Sequence, residues 1–323
     1  MSSSLLHYRE WQGQYHRPIW AVLPICRGAL AMLLRRRLFW ALYAFGLLLF
    51  LMFFFGTVLL DWLESQVPAA PVQVGNFKTD PDRIVKLVRQ GLRVLNGSQD
   101  TFAVFFTYQG TMVMVMLALT GAVLVGNDFT HRSLAFYLAK PMSRWHYIAG
   151  KCLAVGVVVN LLTTVPAVLL FFQHASGDIN YLTDPDFFRD GSGRGPAGLP
   201  LLAGILGFGL VLTVFLSILL VAAASWLRRT MPLIMLWSTL FLFFRLLAAI
   251  LVDGLRYDPR WRLIDLWNDL CLVGFTFLGF EEGAMPLPLP QPQMFEAAIV
   301  LGGLCLSCLT YLSLRTRAVE VVR

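Results

Sequence analysis

Few residues in this chain of 323 could do chemistry, and they stand far apart. Cys305 and Cys308 form a CxxC pair, but inside an apolar run. Helical spacing puts both on one face, where small packing residues are the ordinary reading. A metal or redox pair would need deprotonated thiols, which lipid disfavours. Asp265 and Asp269 are four apart, on one helical face around Trp267. Such a pair could attract a cation, and its ordinary role is a solvated face. Arg245 lies in an otherwise uncharged run, about 12 Å along a helix from Asp253. A bare guanidinium at that depth costs roughly 3 kcal/mol on insertion scales. Glu296, at the start of the last apolar run, is its candidate partner in an intramembrane ion pair; a role for Arg245 in a transport path is the other reading. None of the five histidines is followed by Glu, so the zinc-protease helix is absent. No GxSxG elbow occurs. The sole Gly-Lys pair, Gly150-Lys151, has no P-loop spacing before it and Cys152 after it. No catalytic, cofactor-binding or metal-ligating set is therefore expected.

Residues without chemistry still have to be positioned, and here the composition decides by what. The chain is 57% hydrophobic and only 14% charged, with a mean hydropathy of +0.67. Soluble domains are about one quarter charged. A polytopic membrane protein is expected, all-α, as one transmembrane domain over residues 1–323. The net charge of +7 does not point to nucleic acid, because the excess cations flank the apolar runs. Residues 1–20 are polar and aromatic, and the first apolar run is too long for a signal core, so no cleaved signal is expected. The five cysteines are scattered and make no disulfide framework.

A bilayer core of about 30 Å takes about 20 helical residues. Six runs qualify: 38–60, 102–126, 152–173, 199–227, 231–252 and 294–314. With both termini inside, the inner segments hold 15 basic residues against three acids, and the outer ones 10 against 15. That asymmetry sets the orientation, in a cell (inner) membrane with both termini cytoplasmic. Residues 263–280 carry Asp265 and Asp269 and have too short an uncharged part to span; an outer re-entrant or interfacial helix before the last span is expected. Residues 17–37 mix apolar side chains with Arg17, Arg27 and Arg35–Arg37, which suits a helix lying in the inner membrane surface. Residues 80–95 should form a short amphipathic helix, with Asp80 as N-cap and Pro81 at its first position.

Between the second and third runs lies GNDFTHRSLAFYLAKPMSRWHYIAGK, which begins at Gly126. It carries Arg132, Lys140, Arg144 and Lys151 against the single acid Asp128. A loop this short and positive belongs on the cytoplasmic side.

This layout and this loop resemble the membrane subunit of type-2 ABC exporters over nearly the whole chain. The residues that carry the likeness are Asp128, Ser133-Leu134, Pro141, Ser143-Arg144 and Gly150-Lys151. The chain departs from the pattern with Asp128 where Glu is usual, and with His131-Arg132 where Gly is common. The resemblance implies an export permease (ABC transporter permease) with no catalysis of its own. Two permeases would pair, as homodimer or heterodimer, above two ABC ATPase subunits that hold ATP and Mg. The 127–151 loop would act as coupling helix, with Asp128, Phe129, Arg132, Leu134, Tyr137, Leu138, Pro141 and Arg144 against the ATPase. The bland reading of the loop is that it only sets orientation. The other classes weighed are a membrane-embedded enzyme, peptidase or acyl transferase, which lacks a paired nucleophile and base, and a membrane assembly or anchoring protein.

Overall fold

A computed structural model describes residues 22–56, 58, 62, 72–74, 77–79, 95–126, 144–177, 179–184, 187–188, 195–227, 229–281 and 283–315. Residues 80–94, where most of a surface helix was expected, and the loop core 127–143 lie outside the described residues.

Among the described residues the protein is all-helical apart from a three-residue antiparallel ribbon, β1 (Val72–Val74) on β2 (Phe77–Thr79), with Gln73 opposite Lys78. Helix α1 (Val22–Leu34) precedes six helices that, among the described residues, are long and apolar enough to cross a membrane. These are α2 (Arg37–Phe54), α3 (Gln99–Gly121, prolonged by a π-helical turn over Ala122–Gly126), the pair α4 (Arg144–Leu162) and α5 (Thr164–Gly177), α6 (Gly198–Leu227), α7 (Thr230–Gly254) and α9 (Met294–Arg315). Before α9 comes α8 (Leu266–Phe277), too short at about 18 Å to cross.

Sequence and structure agree on the number of spans and differ at one instructive edge. The third span was expected to open after Lys151, but its helix begins at Arg144. Lys151 therefore sits two turns inside a helix rather than at its margin. The span also breaks at Thr163, three residues before Pro166. Proline has no N–H to donate and its ring crowds the carbonyl four residues back, here Leu162.

Helix α1 shows why its sequence is mixed. Ile25, Cys26, Ala29 and Leu33 are buried on one face, while Arg27 and Arg35–Arg37 stay exposed. Pro24 is tolerated because it falls in the first turn. The indole of Trp40 donates to the carbonyl of Leu34 at 2.8 Å and so closes the end of α1. The buried face of α1 rests on α4 and on the π-helical turn after α3.

Helices α3 and α6 form the centre. Most of α3 is buried, and α6 packs against α3, α4, α5, α8 and α9. Gln109 of α3 donates to the carbonyl of Gly46 in α2 at 2.8 Å, which joins the first two spans by a polar contact inside the bundle. In contrast, α2, α7 and α9 keep much of their apolar surface exposed. Close approach of α6 and α8 depends on Gly204: a Cβ there would lie 2.3 Å from the carbonyl oxygen of Phe277, a backbone atom. Gly204→Val should therefore push α8 off and cost about 1–3 kcal/mol, seen as a lower unfolding temperature of the solubilised protein. Gly302→Val, with nothing within 4 Å of its added Cβ, should leave that temperature unchanged.

Candidate functional site

The two ends of the basic loop meet on one buried lysine. Lys151 is only 1% exposed, yet an ammonium group carries three N–H donors that need acceptors. Its Nζ donates to the carbonyl oxygen of Leu124 at 2.8 Å and lies 5.8 Å from the centroid of the Tyr147 ring. Leu124 belongs to the π-helical turn that ends the second span. The last carbonyls of a helix have no partner within it, and a π-helical turn redirects the ladder further. Lys151 thus supplies a donor to a carbonyl in the last described turn of that helix. Across the contact, the segment that leaves at Gly126 and returns at Arg144 is closed at its base.

The preceding residue closes a different side. A Cβ on Gly150 would lie 2.9 Å from Cβ of Ile25 and 3.1 Å from the carbonyl oxygen of Val22. Only a residue without a side chain lets α1 lie this close. In the Gly-Lys pair the glycine seats α1 and the lysine holds the end of α3. Sequence reasoning took Lys151 as a boundary marker and missed this role. The signal was a lysine between apolar residues with Tyr147 four positions before it.

Of the loop residues, Asp128, Phe129, Arg132, Leu134, Tyr137, Leu138 and Pro141 lie outside the described residues. Arg144 is the first residue of α4.

A second polar constellation surrounds α8. Asp258 opens a 3-10 turn, Pro259–Ile264, by accepting from the backbone N–H of Arg260 at 2.8 Å. Asp265 opens α8 in the same way, accepting from Trp267 N–H at 3.0 Å. The buried Arg262 donates from Nε to the carbonyl oxygen of Pro290 at 2.7 Å and pairs through its other nitrogen with Asp253. Asn268 donates to Gln291 at 2.9 Å. The proline-rich connector before α9 is tied by these contacts to the start of α8.

This constellation corrects two expectations. Glu296 does not receive Arg245: it accepts from Nε of Arg260 at 2.9 Å. Arg260 comes from the turn before α8 and is nearer the helix end where Glu296 sits, whereas Arg245 lies deeper in α7. The Arg245 side chain is exposed on α7, and its charge acts on Asp265. Nor do Asp265 and Asp269 form a solvated face. They are 6% and 0% exposed, because α8 is wrapped by neighbours on all sides rather than lying on the surface. Burial pushes the Asp265 carboxyl up against the opposing pull of backbone N–H groups and of Arg245 and Arg262. Burial, then the charge of Asp265, pushes Asp269 up to about 8. Neither carboxyl oxygen of Asp269 has a hydrogen-bond partner.

Cys305 and Cys308 are free, half-buried and packed at the edge of the core. Among the described residues no three His, Cys, Asp or Glu side chains gather as a metal site would require.

A family described as ABC-2 family transporter protein matches residues 23–258, from α1 through α7. The chain belongs to that family. This ABC-2 protein is a multi-pass membrane protein, and its family members serve as the membrane part of ABC transporters. A search of curated proteins gives no match. The matched stretch includes the whole Gly150-Lys151 seat of the ABC-2 protein and stops before α8. Lys151→Met should leave the Leu124 carbonyl without its donor and cost about 1–3 kcal/mol, with Lys151→Arg milder. Thermal unfolding of the purified protein measures both.

Proposed function

We propose that this ABC-2 protein is the permease of an ATP-driven exporter, a single membrane domain over residues 1–323 with both termini and the 127–151 loop in the cytoplasm. It does no catalysis itself. A separate ABC ATPase holds ATP and Mg and acts on the loop through Asp128, Phe129, Arg132, Leu134, Tyr137, Leu138, Pro141 and Arg144. The observation that carries the reading is the Lys151–Leu124 contact. A loop meant only to set orientation needs no rigid base. A loop that receives force does, and here its two ends are fastened to each other and to α1. A push on the loop moves the ends of α3 and α4 together with α1, instead of being lost in bending. The surplus of cations at this end supports its cytoplasmic placement.

A second permease, identical or related, completes the path. The exposed surfaces of α2, α7 and α9 leave room for it. The exposed Arg245 on α7 supports a partner or a water-filled path there, since a guanidinium facing lipid is costly.

Copurification of the ABC ATPase tests the reading. Phe129→Asp or Leu134→Asp should reduce the ATPase recovered with the permease about tenfold, the loss of roughly 1.4 kcal/mol of binding. Ile179→Asp, on an exposed position away from the loop, should leave recovery unchanged. Equal recovery from all variants, or no ATPase with the unaltered chain, rejects the coupling role.

A further inference from the structure

Asp269 is the one carboxyl among the described residues that is completely buried with both oxygens unpartnered. It lies in the first turn of α8, whose residues Leu266 to Phe275 are buried without interruption. An ionised carboxylate in such a place has neither water nor a cation to hold it. The neighbours make this worse. On α8 itself the ionisable groups are Asp265 and Cys271. The turn before α8 brings Arg260 and Arg262, and these are engaged by Glu296 of α9 and by Asp253 and Pro290. Helix α7 brings Arg245, whose charge reaches Asp265 and Cys271. Helix α6 has no ionisable side chain, and α3, which receives the Trp267 ring at Gly110, carries only Asp100 and Tyr108. Of all these charges only that of Asp265 acts on Asp269, and it is repulsive.

We propose that Asp269 is a proton-binding site, occupied while α8 is seated in the bundle and emptied when α8 opens and its first turn becomes wet. The seated helix holds the neutral acid. Opening hydrates the side chain, which becomes a carboxylate and delivers its one proton to water. The seated state binds the proton more tightly than the open state, so low pH favours seating. Raising pH through the interval between the ordinary carboxyl value and about 8 favours opening. Nothing in this inference depends on the ATPase or on which face of the membrane α8 occupies.

Cys271, two residues beyond Asp269 on α8 and 1% exposed, reports opening. The test uses the full chain, solubilised so that both faces meet the reagent, with Cys26, Cys152, Cys305 and Cys308 replaced by alanine. Maleimide labelling of Cys271 is followed from pH 6 to pH 8. Each rate is divided by that of Ile179→Cys in a chain otherwise free of cysteine, which removes the chemistry of the thiol itself. The ratio should rise at least about fivefold, within the limit of about tenfold per pH unit that one proton allows. Asp269→Asn, which keeps the shape and cannot ionise, should abolish the rise. Asp269→Glu, which keeps the acid, should retain a rise with a displaced midpoint. A further readout is the infrared carbonyl band of a protonated buried acid at pH 6.5, present in the unaltered chain and missing from Asp269→Asn. A flat ratio in the unaltered chain, a pH dependence that survives Asp269→Asn, or an infrared band unaffected by that substitution overturns the assignment.

Discussion

An ammonium group enclosed by apolar helices has to find oxygen, and Lys151 finds it on the backbone of another span. That requirement organises one whole end of the molecule. It reaches α3 at the π-helical turn that is the last described part of that helix. It ties that helix end to α4, because the lysine stands two turns inside the helix that runs from Arg144. It also leaves Gly150 facing α1, where any larger residue would collide with Ile25. One contact thereby specifies the spacing of three helices.

The opposite arrangement holds around α8. There the arginines and most of the acids form a satisfied belt: Asp253 with Arg262, Glu296 with Arg260, Asp265 with the N–H groups of its own helix start. The belt anchors the first turn of α8 to the connector before α9. Within that same turn the belt ends, and both carboxyl oxygens of Asp269 are left without a partner. A helix too short to cross a bilayer could have lain on the surface. It is instead drawn inward by Trp267 against Gly110 and by the contact of Gly204 with the backbone at Phe277.

Much of this was legible in the sequence, and the failures share a cause. The six spans, the short helix before the last and the surface-seeking α1 follow from hydropathy and charge, which depend on local composition alone. The loop residues carried a resemblance to a family, and the match over residues 23–258 shows that family. What escaped was the environment of individual charges. Lys151 looked like an edge residue because lysines usually sit at edges. Asp265 and Asp269 looked solvated because paired acids on a helix usually are. Both inferences average over surroundings, and burial is a property of what other segments bring near. Glu296 illustrates the same limit: Arg245 and Arg260 were both available in the sequence, and only the depth of each in the fold decides which one reaches it.

The two buried ionisable groups, Lys151 and Asp269, lie on elements that touch a common helix. Lys151 holds the last turn of α3 through Leu124, and Trp267 of α8 lies against Gly110 of the same helix. A displacement of α3 along or about its axis must be accommodated at both places, because the glycine leaves the indole no slack. Spatial continuity alone does not establish energetic coupling, which requires an element with two arrangements that both sites bias. Helix α8 has the physical attributes of such an element. It is buried without being a span, and its first turn holds an acid whose protonated form suits the seated position and whose ionised form does not.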